Sequence, residues 1–367
     1  MKPYLVHSLP LQNLDYQRLI SLVGQANAEL ARYDGLLQGI VNPVVLLSPI
    51  TTQEAVLSSK IEGTQATLDE VLEYDAGIQM DEFKTQDIHE ISNYRKALML
   101  ASDDLRERPI SLFLIREMHR ILLDSVRGRD KEPGEFRRDQ NWIGSKGCSI
   151  DNASFVPVSP LHLQTALADW IQYIQSDDID ALLQLAVVHA QFELIHPFKD
   201  GNGRIGRLLI PLFLYQKKKL ASPMFYLSAY LEENRDEYYE RLAGISQNGD
   251  WNGWIAFFLK AIAVQASENA KKVHEILVLY ETMKQRIVDI THSQYSIQIL
   301  DALFDHPIFQ TTDLATRTNI PKQTLMPLIR QIKDSGYLKV VQEASGRRAA
   351  TLAFSELLNI AEGRKIL

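Results

Sequence analysis

The sequence predicts a mainly α-helical fold with two short β-hairpins. Apolar residues recur at helical spacing over most of the chain, as at Leu182, Leu185 and Val188. Strand-like runs are confined to residues 155–158, which follow a turn-rich stretch, and to two runs between residues 337 and 354. We therefore expect one hairpin in the middle of the chain and another near its C-terminal end.

The composition is that of an ordinary globular protein. The chain has 367 residues, of which 46% are hydrophobic and 23% charged, which is enough for two or three domains. A net charge of -7 argues against a surface devoted to polyanions. The single cysteine, Cys148, excludes an intrachain disulfide and a thiolate zinc cage. We expect a cytoplasmic protein without a membrane partner, since no apolar run is long enough to cross a bilayer.

Four segments are predicted along the chain. An N-terminal helical region (1–105) contains a helix at about 51–63, with a capping box at its start and Gly63 at its end. A helical core (106–262) follows. It is joined by a helical connector (263–290), which contains no Gly or Pro, to a C-terminal region (291–367).

A helix–loop–helix unit is predicted in the core. Leu182 to Ile195 has the pattern of a buried helix, and Pro197 cannot extend it, so His196 lies at the helix exit. Gly201 and Gly203 allow backbone N–H groups to face a ligand, and the next helix adds its N-terminal amides. This arrangement predicts a phosphate site.

The side chains of the loop fit the same chemistry. Arg204 and Arg207 lie three residues apart in the first turn of the second helix, where they can bind phosphate oxygens. Asp200 is a suitable oxygen ligand for Mg²⁺, and His196 has the pKa range of a general base. Taken singly, a capping histidine and solvated arginines are the commoner interpretations. Their combination favours a catalytic loop.

Two other nucleotide motifs are excluded. Gly201 to Gly206 satisfies G-x-G-x-x-G, but the dinucleotide fingerprint needs a preceding strand, and here a helix precedes it. A P-loop is excluded because no Gly-Lys-Ser/Thr follows the glycines.

The loop resembles the Fic family, whose motif is H-P-F-x-D-G-N-G-R-x-x-R. All nine specified positions are present between His196 and Arg207. The resemblance, which covers roughly residues 50 to 265, implies a Mg²⁺-dependent protein adenylyltransferase, a nucleotidyltransferase. Such an enzyme moves AMP from ATP to a Ser, Thr or Tyr hydroxyl of a protein, including itself, and releases pyrophosphate. The intact Gly203 favours AMP transfer over phosphoryl transfer.

The resemblance also implies residue roles. His196 is the general base, Phe198 an anchor into the core and Asp200 the Mg²⁺ ligand. The implied ATP-binding residues of the loop are Lys199, Gly201, Asn202, Gly203, Arg204 and Arg207. The segment Pro133–Gly144 is similar to the family's lead into a β-hairpin flap that lays a target segment over the loop by strand addition. The implied flap and target-contacting residues are Ser154, Phe155, Val156 and Pro157. Tyr238 and Tyr239 correspond to the adenine side of the site, with core packing as the alternative.

A built-in inhibitor is implied as well. Ser58, Glu62 and Gly63 fit the family's inhibitory motif [S/T]-x-x-x-E-[G/N], although by itself this pattern is weak. The resemblance implies that Glu62 reaches into the ATP site and takes the guanidinium of Arg207 that the γ-phosphate would otherwise use.

The C-terminal region is predicted to form three short helices, Ser296–Phe304, Thr312–Thr318 and Lys322–Lys333, and a hairpin around residues 345–348. That order resembles a winged helix-turn-helix, although Pro327 falls inside the third helix. After residue 290 the chain has nine Lys/Arg and seven Asp/Glu. This excess of positive charge is small for binding driven by contacts with DNA phosphates. DNA binding, dimerisation and target docking therefore stay open.

Two alternative functions are carried forward. One is an ATP-sensing transcription regulator, in which the loop binds ATP and the C-terminal region reads DNA. The other is removal of AMP from a modified target, with Glu62 positioning a water. The sequence names neither the target protein nor the oligomeric state, so a monomer and a homodimer both stay open.

Overall fold

A computed structural model describes residues 2–124, 129–145, 147–345 and 349–366. The chain forms two compact units, which are described separately. The first comprises residues 1–35, 57–63 and 92–267, and the second residues 36–56, 64–91 and 268–367.

The mainly α-helical prediction is confirmed. The helices of the first half of the chain are α1 (Tyr16–Gln38), α2 (Pro43–Leu46), α3 (Ser48–Ile61), α4 (Leu68–Asp75), α5 (Glu82–Asp104), α6 (Leu112–Leu122) and α7 (Pro160–Gln175). Those of the second half are α8 (Ala181–Ile195), α9 (Asn202–Gln216), α10 (Ser228–Glu233), α11 (Arg235–Asn248), α12 (Trp251–Thr291), α13 (Ser296–Asp305), α14 (Thr311–Thr318), α15 (Lys322–Asp334) and α16 (Ser355–Glu362). Short 3₁₀ turns occur at Arg129–Lys131 and Ile150–Asn152. None of the helices in the described ranges is long and apolar enough to span a membrane.

The core of the first unit surrounds α8. Nearly every α8 residue from Leu182 onward is buried, because the helix is apolar on all sides. The indole N–H groups of Trp170 and Trp254 donate to the Val188 and Ala186 carbonyls of α8 at 2.9 and 2.8 Å. Since α8 is enclosed in this way, the loop that follows it starts from a rigid support.

The second unit contains a three-stranded antiparallel sheet. Its strands are β1 (Ile308–Gln310), β2 (Lys339–Gln342) and β3 (Thr351–Ala353), in the order β1-β3-β2. The predicted pairing of the last two is found, with Val340 opposite Leu352. The tip of the predicted hairpin, residues 346–348, lies outside the described residues.

Helices α13, α14 and α15 begin and end within one residue of their predicted bounds. Pro327 lies inside α15, and the helix nevertheless continues to Asp334. The connector predicted at 263–290 lies within α12, one continuous helix of 41 residues. The winged-helix interpretation of the C-terminal region stays a prediction.

Helix α3 begins earlier than predicted. The capping box placed its start at Thr51, whereas the helix starts at Ser48, with Pro49 in its first turn. The hydroxyl groups of Thr51 and Thr52 instead donate back to the carbonyls of Leu47 and Ser48, at 3.1 and 3.0 Å. Gly63 has φ +108° just beyond the helix end, a conformation that favours glycine.

Candidate active site

His196 is held at the C-terminal end of α8 in a left-handed conformation, with φ 50° and ψ 61°. Its Nδ1 lies 3.2 Å from the Glu193 carbonyl oxygen. Because a carbonyl can only accept, Nδ1 carries the proton and Nε2 keeps its lone pair. Burial, together with the nearby charge of Arg137, lowers the pKa of His196 to about 4. The imidazole is therefore neutral at neutral pH, and Nε2 is available as a base.

Two contacts brace the loop behind His196. The Asn202 side chain accepts from the Phe198 N–H at 2.8 Å and donates to the Phe198 carbonyl at 2.9 Å. Phe198 is fully buried, as predicted, and stacks on the His119 ring with 3.7 Å between centroids. His119 accepts from the Gly134 N–H and donates to the Asp200 carbonyl. The side chain of Asn202 thus braces the loop. The backbone N–H of Asn202 is not used in these bonds and lies at the start of α9.

Two glycines shape the entrance of α9. Gly201 has φ +76°, and a Cβ there would lie 3.3 Å from the Leu122 side chain. A Cβ at Gly203 would lie 2.2 Å from Glu62 Oε1. Glycine at position 203 is therefore required for the close approach of Glu62 to the start of α9.

Arg207 faces the end of α3. Its side chain is 1% exposed, and its Nη2 lies 2.6 Å from Glu62 Oε1. The same guanidinium donates from Nε to the Ser58 hydroxyl at 2.8 Å and from Nη2 to the Ser58 carbonyl at 2.9 Å. Burial by itself would raise the pKa of Glu62, but the charge of Arg207 holds it below its ordinary value. The sequence-predicted contact between Glu62 and Arg207 is present in the structure.

Glu193 is a second carboxyl group beside Arg207, and the sequence analysis missed it. Its Oε1 is buried and has no hydrogen-bond partner among the described residues. Burial raises the pKa of Glu193 to about 8, against the opposing charge of Arg207. A Cβ at Gly206 would lie 2.2 Å from this oxygen, so the glycine provides its space. Glu193 is therefore protonated at neutral pH.

Asp200 lies at the exposed side of the loop. Its side chain is half exposed, its Oδ1 accepts from the Gly201 N–H at 2.6 Å, and Arg204 Nη2 lies 3.7 Å away. In the described part of the chain, no cluster of three or more His, Cys, Asp or Glu side chains is arranged to hold a metal. A single carboxylate at the start of α9 fits Mg²⁺, which is commonly held by one or two carboxylates together with substrate phosphates.

The remaining predicted ATP-site residues, Lys199, Tyr238 and Tyr239, differ in their contacts and in how far a ligand can reach them. Lys199 is paired with Glu132, at 2.5 Å between Nζ and Oε1. Tyr238 is buried and donates to His189 Nε2 at 2.9 Å, which is the geometry of a core residue. Tyr239 is 43% exposed and lies under the guanidinium of Arg235. Of the two tyrosines, Tyr239 is the one that a ligand can reach.

The predicted flap is a minimal hairpin. Ile143 and Phe155 form one antiparallel bridge, with N–H to carbonyl distances of 2.8 and 3.1 Å. Val156 faces the other way, and its carbonyl accepts from the Tyr4 N–H at 2.9 Å. One edge of the hairpin is therefore already occupied by this chain's own residues near Tyr4.

The other edge of the hairpin is open. Trp142 and Ile143 are each 42% exposed. Within the described ranges, the main-chain N–H and C=O of Trp142 have no hydrogen-bond partner. Asn141, the preceding residue, donates from Nδ2 to the Phe198 carbonyl of the loop at 3.2 Å. The open edge therefore begins beside the loop, in the segment that the resemblance gave as the lead into the flap. The target-contacting residues that it implied were Ser154 to Pro157 instead.

The fold and the loop together define a helical protein in which a buried, neutral histidine lies beside a glycine-bounded helix start that carries two arginines. Comparison with known families agrees with this class. The model described as Fic/DOC family N-terminal matches residues 20–103, and the model described as Fic/DOC family matches residues 109–214. Together they account for about half of the chain, and the second contains the loop. The chain belongs to the Fic/DOC family.

Similar proteins carry the same family name. "Protein adenylyltransferase fic-1" of Caenorhabditis elegans is 31% identical over 154 residues, which are 41% of this chain and 27% of that protein. "Protein adenylyltransferase Fic" of Drosophila grimshawi is 28% identical over 262 residues, 67% of this chain and 48% of that protein. The chain thus spans between about a quarter and about half of the length of these relatives.

Solved structures share the fold. A Fic family protein from Desulfovibrio desulfuricans G20 superimposes with a TM-score of 0.60 at 20% identity, over 96% of this chain and 98% of that one. Residues 134–508 of Fic-1 from C. elegans superimpose with a TM-score of 0.52 at 21% identity, over 72% of this chain and 73% of that one.

Proposed function

We propose that this chain is a protein adenylyltransferase that transfers AMP from ATP to a Ser, Thr or Tyr hydroxyl of a protein, and that Glu62 holds it in a weakly active state. The observation that carries the proposal is the position of Arg207. It lies in the first turns of the helix that begins the phosphate site, and a carboxylate already occupies its guanidinium. The names of the relatives supply the reaction class.

The proposed reaction is an in-line displacement at the α-phosphorus. His196 Nε2 takes the proton of the target hydroxyl, and the hydroxyl oxygen attacks the α-phosphorus. The bond from the α-phosphorus to the α,β-bridging oxygen breaks, and pyrophosphate leaves. The N–H groups at the start of α9 and the side chain of Arg204 stabilise the charge on the phosphates. Mg²⁺ held by Asp200 and the phosphates would neutralise charge on the leaving group.

The inhibition follows from charge and geometry. Arg207 is the cation that the γ-phosphate of a productive ATP needs, and Glu62 competes for it. With Glu62 in place, two negative groups would meet at one guanidinium. ATP therefore binds with its γ-phosphate elsewhere, and its α-phosphorus is not in line with the target hydroxyl.

For the target, we propose strand addition at the open edge of the flap. A segment that pairs with the Trp142 main chain would lie beside the loop, since Asn141 contacts the Phe198 carbonyl there. The exposed side chains of Trp142 and Ile143 would contact the target side chains. Residues Ser154 to Pro157 would then support the edge from behind.

The test uses ATP labelled at either the α or the γ position, with the Glu62→Gly protein. AMP transfer predicts protein-bound label from the α position only, and its loss when His196→Ala is added. Label from the γ position alone would establish phosphorylation and contradict the proposal. A lack of label from either position, with ATP still bound, would favour an ATP-sensing regulator. Loss of label from a purified AMP-modified target would show AMP removal.

DNA binding is a second candidate function, favoured by one observation. The exposed face of α15 carries Lys322, Gln323 and Arg330, side chains suited to phosphate and base contacts. A gel shift with duplex DNA, whose affinity falls as salt rises, would support it. Absence of binding at low salt would favour dimerisation or target docking by this region.

A further inference from the structure

Arg137 is a buried cation paired with the main chain alone. It is 3% exposed, and no carboxylate among the described residues forms an ion pair with it. Its guanidinium donates to the carbonyls of His196 at 2.8 Å, Ile195 at 3.2 Å and Asp139 at 3.2 Å, and also to that of Val158. Burial lowers the pKa of Arg137 to about 10, so it stays charged at neutral pH.

The carbonyl groups explain why Arg137 is buried without a carboxylate partner. The last carbonyls of a helix have no partner within the helix and carry its negative dipole end. Ile195 is the last residue of α8, and His196 caps it. A guanidinium at this position satisfies both carbonyls at once, which compensates the cost of burying its charge.

The same residue joins the loop to the flap. The Arg137 main-chain N–H donates to the Pro197 carbonyl at 2.9 Å. Asp139 and Val158 lie next to the two sides of the hairpin that carries Ile143 and Phe155. Arg137 therefore fixes three consecutive residues around the catalytic base relative to the segment proposed to hold the target.

We infer that Arg137 is a positioning residue, which holds the His196 imidazole in line with a hydroxyl presented by the flap. The inference rests on the proposed transfer reaction. It places the effect of Arg137 on the transfer step and not on ATP binding, because none of its contacts involves the phosphate-binding glycines or arginines.

Its charge also acts on His196. Arg137 opposes protonation of the imidazole, while Glu62 and Asp200 favour it, as does the hydrogen bond to the Glu193 carbonyl. Removal of the Arg137 charge therefore raises the proton affinity of His196. A residue with only a structural function would leave that affinity unchanged.

The experiment compares Arg137→Gln with Arg138→Gln in the Glu62→Gly protein, since Arg138 is the exposed neighbour. We expect Arg137→Gln to lower kcat by about 10²-fold with KM for ATP nearly unchanged. Arg137→Lys should recover part of the rate, and Arg138→Gln should keep the parent rate. A rise in KM that accounts for the whole loss, or equal rates in the two Gln variants, would overturn the inference.

A second readout needs no activity. The ¹⁵N resonances of the His196 ring, assigned by comparison with His196→Ala, report its tautomer and titration. Arg137→Gln should shift the titration upward and reduce the Nδ1–H tautomer, whereas an unchanged spectrum would overturn the inference. If Arg137→Gln does not fold, the rate comparison is made with Arg137→Lys, which keeps the charge but loses the forked donors, so its kcat should fall while the titration of His196 stays at the parent value. A parent kcat in Arg137→Lys would then overturn the inference. A parent protein that transfers no AMP would contradict the proposed function and leave this spectroscopic test in place.

Discussion

The two buried arginines near the loop have different kinds of partner. Arg207 faces the carboxylate of Glu62, whose side chain is 34% exposed and can move into solvent. Arg137 faces carbonyl groups of the main chain, two of which belong to the end of a buried helix and cannot leave. A carboxylate and a phosphate are alternative partners for one guanidinium, but helix carbonyls have no competitor. The site therefore has an exchangeable end, where Arg207 can pair with either Glu62 or a phosphate, and a fixed end, where Arg137 is held by helix carbonyls.

Under the proposed function, this difference separates regulation at Arg207 from catalysis at His196. His196, next to the fixed end, keeps one tautomer and one backbone conformation. Arg207 lies in the second turn of α9, on the other side of the loop, and its partner Glu62 makes no hydrogen bond to His196. Substitutions at Glu62 or Ser58, at the exchangeable end, should thus change the fraction of enzyme that is active. Substitutions at Arg137, at the fixed end, should change the rate of the transfer step itself.

The largest stability effect is expected from Arg207→Ala. It leaves the Glu62 carboxylate without its cation and the buried Ser58 hydroxyl and carbonyl without their donor. We expect a loss of about 3 kcal/mol in the free energy of unfolding, measured by denaturant titration. AMP transfer should also fall in the Glu62→Gly background, because the γ-phosphate loses its partner.

The control for that loss is Arg241→Ala. Arg241 forms an exposed pair with Glu237, each side chain 42% exposed. Its removal should cost less than about 1 kcal/mol. Equal losses in the two variants would contradict the structural importance given to the Arg207 end.

The next effect depends on pH and comes from Glu193→Gln. The pKa of Glu193 is about 8 in the folded protein, against an ordinary value of 4.5. The folded state therefore binds the additional proton between these values, and stability falls as pH rises through that window. The variant carries no such proton, so its stability relative to the parent should improve from pH 5 to pH 8, by up to about 3 kcal/mol.

Thermal or denaturant unfolding at several pH values measures this trend. Glu240→Gln, at an exposed position of α11, is the control and should show no growing difference. A constant difference between Glu193→Gln and the parent over the whole range would show that Glu193 is charged in the folded protein.

A smaller effect is expected from Ser58→Ala. The Ser58 hydroxyl accepts from Arg207 Nε, so its loss weakens the inhibited pose by about 1 kcal/mol. AMP transfer should rise by about fivefold for that change in free energy. Ser59 is the matched control, because its hydroxyl is equally buried but has no partner among the described residues. A rise of the same size in Ser59→Ala would contradict the assignment.

The sequence predicted those parts of the site whose chemistry is local. Residues 196 to 207 are consecutive, and the turn glycines and the helix exit at Pro197 can be read from neighbouring residues. Ser58 and Glu62 were found through the family's inhibitory motif, because their spacing by itself is a weak pattern. Their contact with Arg207 needed the family resemblance, since 145 residues separate Glu62 from Arg207.

The rest depends on contacts that no local pattern encodes. Arg137 was visible as a residue of the flap lead, but its four carbonyl partners lie up to 59 residues away. Glu193 looks like an ordinary helix carboxylate, and only the packing around α8 reveals its burial. Strand β1 has only three residues. It forms because it pairs with Thr351 to Ala353, which follow in the chain only after two helices and strand β2. Short elements of this kind are decided by tertiary contacts.

A glycine at position 62 also changes the end of α3, which has to be separated from the loss of the carboxylate. Lys60→Gly is a suitable control, because Lys60 lies in the last turn of α3, two residues before Glu62, and is 53% exposed. Its helix-propensity cost of about 1 kcal/mol is at least that of a glycine just beyond the helix end, and the variant keeps the Glu62 carboxylate. Its AMP transfer rate should stay near that of the parent.

The central claim is that Glu62 holds Arg207 away from ATP, and the most direct measurement is the initial rate of AMP transfer from α-labelled ATP. The Glu62→Gly protein should be at least about tenfold faster than the unaltered protein, which corresponds to about 1.4 kcal/mol. The increase should disappear when His196→Ala is added. An equal or lower rate in Glu62→Gly, with folding and ATP binding intact, would contradict the account.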